Sequence, residues 1–269
     1  MSDYRLREFL PEDRAELAAL WHKVFGDPEE LILAFLQRLP SFGVGAVAEL
    51  EGRAVGAAYA LEGLCSGLAG GDVPCGYIYA VAVAPEHRHH GLGAALSQKA
   101  AELSKARGSH LICTLPAEES LYPWYEKILG VSCALRRRSF MAKAAPLLPC
   151  REAGAEEYLS RREALLEGRP HLRINSELMD FGELFYRSFG GGLYLCGGGV
   201  CAAYGDEELV IRGLITPEGL SPEAAAASLA AHLGRDSARY FFPYKEGEAY
   251  ISAPKGSLPP DFIWNLSFD

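Results

Sequence analysis

The chain opens on an alternation. Residues 4–9 set apolar and charged side chains in turn, the period of a short strand. From Pro11 the period lengthens. Leu17, Leu20, Trp21 and Phe25 share one helical face behind acids in the first turn, and Gly26-Asp27-Pro28 breaks it. PEELILAFLQRL predicts a second helix with proline at its opening. Residues 44–49 and 54–61 flank Glu51-Gly52-Arg53 and predict a hairpin. Residues 63–76 are glycine-rich and read as a loop and strand edge. Residues 77–84 form an uncharged run rich in β-branched and aromatic side chains, a buried strand that Pro85 ends. A helix over 94–107 and a strand over 110–115 follow. The helix between them makes these two strands parallel neighbours. A short helix within 116–127 and a strand over 132–143 complete the order β-α-α-β-β-β-α-β-α-β.

Residues 146–149 read as a linker, and a fainter pattern follows. Helices are predicted over 156–168 and 176–187, and strands over 192–196, 200–204 and 209–215. An alanine-rich helix over 221–233 and a strand over 239–243 come last. This order matches the first half, so the expected domains are 1–145 and 146–269, each with a mixed α/β (α+β) sheet flanked by helices.

Composition narrows the function classes. The chain has 269 residues, 49% of them hydrophobic, and a formal net charge of −9. That balance opposes nucleic-acid binding, which needs clustered Lys and Arg. No apolar run approaches the length of a membrane span, and the charged start MSDYRLREFLPEDR is unlike a signal peptide. The expectation is a cytoplasmic protein. The seven cysteines, with no CxxC, read as reduced buried thiols.

The chemistry concentrates at VAVAPEHRHHGLGAAL, residues 81–96. A strand runs through a basic glycine turn into a helix. The first helical N–H groups lack partners, and the helix dipole favours negative charge there. Glycine lets a phosphate approach the backbone. A phosphate or pyrophosphate is therefore expected at residues 88–94. His87, His89 and His90 do not read as metal ligands, because the same backbone is needed for phosphate and no Asp or Cys completes a set.

The run Arg88-His89-His90-Gly91-Leu92-Gly93-Ala94 resembles the Arg/Gln-x-x-Gly-x-Gly/Ala cofactor motif of the GNAT superfamily of acyl-CoA N-acyltransferases. Trp124-Tyr125-Glu126-Lys127 is similar to that family's Tyr-Glu-Lys-x-Gly-Phe segment, although Ile128-Leu129-Gly130-Val131 carries one extra residue before glycine and lacks the Phe. The resemblance implies the GNAT fold and acetyl-CoA as cosubstrate, without a metal. It implies pyrophosphate binding by backbone N–H groups of His89, His90, Gly91, Leu92, Gly93 and Ala94 beside Arg88, and backbone pairing of Val81, Ala82 and Val83 with the pantetheine arm. It makes Tyr125 the general acid toward the leaving sulfur, with Tyr122 as the alternative donor. The two-half plan is similar to the Eis-like branch, in which a degenerate second GNAT-like domain follows the first and the terminal carboxylate reaches the active site. On that pattern Asp269 is the expected base or amine anchor, from a docked apolar tail.

The implied activity is direct acetyl transfer to a primary amine of a small molecule or peptide. The alternatives are a catalytically inactive CoA-binding protein and a regulatory second half that binds a partner. Asp27 and Glu62 are weaker candidates for holding a cationic amine. Arg136-Arg137-Arg138 reads as a solvated strand, and Trp21 and Phe25 as core. Residues 216–222, where the second half would repeat the glycine turn, lack its basic residues, so no second cofactor is expected. GGLYLCGGGVCAAY is a candidate sheet edge for homo-oligomer pairing.

Overall fold

The computed structural model describes residues 4–264. In chain order the elements are β1 (Arg5–Glu8), α1 (Arg14–Phe25), α2 (Glu29–Phe42), β2 (Gly43–Leu50), β3 (Arg53–Ser66), β4 (Val73–Val83), α3 (Leu92–Ala106), β5 (Leu111–Thr114), α4 (Leu121–Leu129) and β6 (Val131–Lys143). There follow β7 (Cys150–Ala153), α5 (Ala155–Leu165), β8 (His171–Arg173), α6 (Ser176–Ser188), β9 (Gly192–Cys196), β10 (Gly199–Tyr204), β11 (Leu209–Ile215), α7 (Pro222–His232), β12 (Ser237–Pro243) and β13 (Glu248–Pro254). The chain forms two compact units. One is the chain up to Ala134 with Tyr250–Pro259, and the other is Leu135–Ala249 with the stretch from Pro260. These bounds differ from a simple division after residue 145, because β13 enters the first unit from far down the chain.

In the first unit the strands run β1-β2-β3-β4-β5-β13, antiparallel except for the parallel β4–β5 pair. The β2–β3 hairpin turns at Glu51 and Gly52, both at positive φ. One sheet face packs Val44, Ala46, Ala58, Ile78 and Ile112 against Leu92, Leu96 and Ala100 of α3. Small residues let the helix press close. A Cβ on Gly76 would stand 2.1 Å from the Ser104 hydroxyl of α3. The other face carries an aromatic cluster, with Trp21 edge-on to Phe35 at 5.1 Å and tilted against Tyr59 at 5.3 Å.

In the second unit the order is β6-β12-β11-β10-β9-β7, with β11 and β12 parallel. Alanines of α7 (Ala225, Ala226, Ala230) pack on Cys201, Ala203, Ile211 and Ala238. The Arg162 guanidinium, buried, pairs with Glu163 and the Leu172 carbonyl, and Glu163 also holds His171 at 3.2 Å. Cys150 and Cys196 form a disulfide. This corrects the expectation of reduced thiols at these two positions. They are 46 residues apart and meet because antiparallel β7 and β9 set them directly opposite each other. Cys65, Cys75, Cys113, Cys133 and Cys201 are free. No helix among the described residues is long and apolar enough to cross a membrane.

Candidate active site

β4 and β5 pair from Cys75↔Leu111 to Ile78↔Thr114, where β5 ends. β4 runs on to Val83 with β3 as its partner among the described residues. Residues 79–83 therefore present one edge of backbone N–H and C=O groups to the fork. In the same stretch β4 holds two residues, Ala80 and Val81, between the pairs Tyr59↔Tyr79 and Ala57↔Ala82, where β3 holds only Ala58. This is a β-bulge, which twists the strand and re-aims its backbone. Ala80 sits at φ 48°, a left-handed conformation that costs a non-glycine residue about 1–2 kcal/mol. Such outliers concentrate at functional sites. Val81 and Val83 are half-buried and Ala82 is buried.

The glycine turn follows. Pro85–His87 makes one 3₁₀ turn, and the Arg88 Nε donates to the Val83 carbonyl at 3.1 Å. Arg88 thus folds back on the end of β4 and engages one of the acceptors expected for the pantetheine. His87 Nδ1 lies 3.3 Å from the Tyr4 hydroxyl, while His89 and His90 are exposed. Among the described residues no group of His, Cys, Asp and Glu is arranged to hold a metal ion. Gly91, at φ 78°, is the N-cap of α3 and supplies no side-chain cap. Nothing lies within 4 Å of a Cβ placed there, so the conformation and not crowding requires glycine. The first intrahelical bond runs from Ala95 N–H to Gly91 O at 3.1 Å. The N–H groups of Leu92, Gly93 and Ala94 precede it, the uncapped donors that favour an anion. The Leu92 side chain is core, so only its backbone can serve a ligand.

Tyr125 lies on α4, which Gly130 ends at φ 70°. Its ring is edge-on to Trp124 at 4.7 Å. Burial pushes the phenol above its usual pKa, and hydrogen bonding by the Thr114 and Ser97 hydroxyls pulls the other way. Thr114 ends β5, and Ser97 lies on the buried face of α3. The alternative donor, Tyr122, gives its hydroxyl to the Tyr250 carbonyl at 3.2 Å.

Other candidates are spread more widely. Asp27 accepts from Trp21 Nε1 at 2.6 Å, and Glu62 pairs with Arg107 at 3.1 Å. Trp21 is core as expected, but Phe25 is 47% exposed. Arg136–Arg138 is not a simple solvated row: Arg137 lies over the Phe241 ring at 4.6 Å and Arg138 over Tyr244 at 5.4 Å. Asp269 lies outside the described residues.

The second unit repeats the fork and closes it. β11 and β12 pair in parallel up to Ile211↔Tyr240. The next residue on each strand is Arg212 and Phe241, and the guanidinium stands 3.9 Å over the ring. At the start of α7 the Ser221 hydroxyl caps Ala224 N–H at 3.4 Å. The helix end open at Gly91 is thus internally satisfied here.

Residues 5–127 match the acetyltransferase (GNAT) domain family. The chain carries a GNAT acetyltransferase domain in its first half. Among solved structures, a conserved protein of unknown function from Enterococcus faecalis V583 is 14% identical, with 93% of this chain and 72% of that one covered at a TM-score of 0.70. A GCN5-related N-acetyltransferase from Kribbella flavida is 19% identical over 93% and 71% of the two chains, TM-score 0.65. Eis1 from Mycobacterium abscessus is 16% identical over 92% and 72%, TM-score 0.60. At these identities the likeness is one of fold, and it extends over both halves of this chain. No curated protein matches the sequence.

Proposed function

We propose that the protein is an acetyl-CoA-dependent N-acetyltransferase that moves an acetyl group to a primary amine of a small molecule or peptide by direct attack on the thioester. The observation that carries this reading is the uncapped Gly91 helix start that follows a β4 edge without a β5 partner beyond Ile78, with a buried phenol at Tyr125 in the same unit. The residues suit the cosubstrate. The backbone from His89 to Ala94 offers N–H donors to a pyrophosphate, Arg88 fixes the turn, and the Val81–Val83 edge offers strand-like pairing to an amide-bearing arm. Acetyl-CoA supplies the activated acyl group. Tyr125 holds the proton that the departing sulfur requires, and as a neutral phenol it keeps that proton at pH 7. The second half, with its fork bridged by Arg212 and Phe241 and its helix start capped by Ser221, is a degenerate GNAT-like unit without a cofactor of its own.

The test is release of free thiol from acetyl-CoA in the presence of a panel of primary amines spanning polyamines, aminoglycosides, lysine and peptide N-termini. Amine-dependent release supports the reading. Tight acetyl-CoA binding without release for any amine would favour the inactive CoA-binding alternative.

A further inference from the structure

Three strands of the first unit share one row of side chains. Ile78 of β4 pairs with Thr114 of β5, and Thr114 pairs with Ser252 of β13. Paired residues stand on the same face of a sheet. Here it is the face on which Ile78 and Ile112 pack with α3. The row holds two hydroxyls. Thr114 Oγ1 donates its one proton to the Ile78 carbonyl at 3.2 Å. Ser252 is 0% exposed, and its Oγ has no hydrogen-bond partner among the described residues. A buried hydroxyl without a partner is unfavourable, and alanine would fill the same place without that penalty. The unit thus keeps a proton donor that its own fold does not use.

The same row marks where an arm laid along β4 would end. β4 continues past Ile78 without β5 beside it and leads to the turn at residues 88–94. An arm anchored at that turn and paired from Val83 back to Tyr79 reaches Ile78 after five steps of about 3.3 Å. On that edge it lies in line with β5, one strand spacing of about 4.8 Å from the line of β13. The helix that bears Tyr125 is tied to the strand that bears Ser252, because the Tyr122 hydroxyl donates to the Tyr250 carbonyl at 3.2 Å.

We propose that Ser252 is a catalytic residue, the donor to the acyl carbonyl oxygen of acetyl-CoA. This rests on the acetyltransferase reading. In the step, the amine nitrogen bonds to the carbonyl carbon and the π pair moves onto the oxygen. Ser252 donates a hydrogen bond to that developing anion and keeps its proton. When the C–S bond breaks, the carbonyl re-forms and the sulfur takes the Tyr125 proton. The new amide nitrogen loses one proton to water, and the Tyr125 phenolate regains one from water. A donor already in place and shielded from bulk water favours the oxyanion without reorganising.

The test compares the full chain with Ser252→Ala. Isotope-edited infrared spectra follow the ¹³C-labelled thioester carbonyl of bound acetyl-CoA, without any amine. In the parent the band should lie below that of free acetyl-CoA, and in the variant it should return towards the free value. With an amine acceptor, kcat should fall by about 10²-fold, the usual effect of removing one oxyanion donor, with KM for acetyl-CoA little changed. The melting temperature should hold or rise, because an unpaired buried hydroxyl has been removed. A merely structural role gives the opposite sign, with activity and melting temperature falling together. That result, or one carbonyl frequency for both proteins, overturns the assignment of Ser252. The acetyltransferase reading fails separately, if the parent binds acetyl-CoA yet acetylates no amine; the carbonyl band still decides Ser252. Absence of acetyl-CoA binding by the parent overturns both.

Discussion

Thr114 donates its hydroxyl to the carbonyl of Ile78 at 3.2 Å, and these two residues are the last rung of the parallel β4–β5 ladder. The end of the β4–β5 pairing is therefore pinned by a side chain as well as by backbone pairing.

Tyr125→Phe keeps the buried ring and removes the proton. We expect kcat to fall by about 10²-fold or more, the usual contribution of a positioned acid, with KM for acetyl-CoA little changed. Steady-state kinetics checks this. A variant that loses less than about threefold would show that another donor serves the sulfur.

Asp13 ties the start of the chain to the sheet. Burial pushes its carboxyl upward, but two 2.7 Å bonds from Arg7 and one from Leu10 N–H outweigh it, and its pKa lies below the usual value. A depressed folded pKa means that this stabilisation is present above the unfolded pKa of about 4 and is lost as pH falls through the folded value. Asp13→Asn should cost about 1–3 kcal/mol at pH 7. Its deficit against the parent should shrink in denaturant melts taken at progressively lower pH.

The Cys150–Cys196 disulfide closes a loop with a sequence separation of 46. Chain entropy alone values such a loop at about 4 kcal/mol, an upper figure for a real protein. Reduction, or the Cys150→Ala/Cys196→Ala pair, should lower the melting temperature and do so equally. A reductant that lowers the melting temperature of the double variant as well would place the effect elsewhere.

Gly76→Ala tests how closely α3 presses on β4. The added methyl would stand 2.1 Å from the Ser104 hydroxyl and 3.0 Å from its Cβ. Overpacking of this kind costs about 1–3 kcal/mol. Tm should fall by about 3–10 °C, and acetyl-CoA affinity should fall with it, because α3 carries the cradle.

Most of this architecture is legible along the chain. Period changes at Pro11, Pro28 and Pro85 mark α1, α2 and the end of β4, and each proline stands at a real boundary. The glycine-rich stretch 63–76 is less of a loop than its composition suggests. β3 runs to Ser66 and β4 starts at Val73, since Gly76 is there for close packing and not for a turn. β7, β8 and β13 escape because three- to seven-residue strands acquire their identity from distant partners. Ser252 of β13 pairs with Thr114, far back in the chain. In the site, Arg88, Gly91 and Tyr125 announce themselves by motif. Ser97 and Thr114 do not. Their one sequence signal is that Ser97 falls on the buried face of α3 with Ala100, Ala101 and Ser104, a polar residue where periodicity calls for an apolar one.

The most direct test of the central claim is calorimetric titration of the full chain with acetyl-CoA, beside Gly91→Glu. The variant sets a negative side chain at an exposed position whose φ of 78° disfavours it, at the mouth of the cradle. The account predicts one-site binding by the parent protein and at least a tenfold loss in the variant, with its fold intact by circular dichroism. Absence of binding by the parent, or equal binding by both, would contradict the assignment of residues 88–94 as the acetyl-CoA cradle.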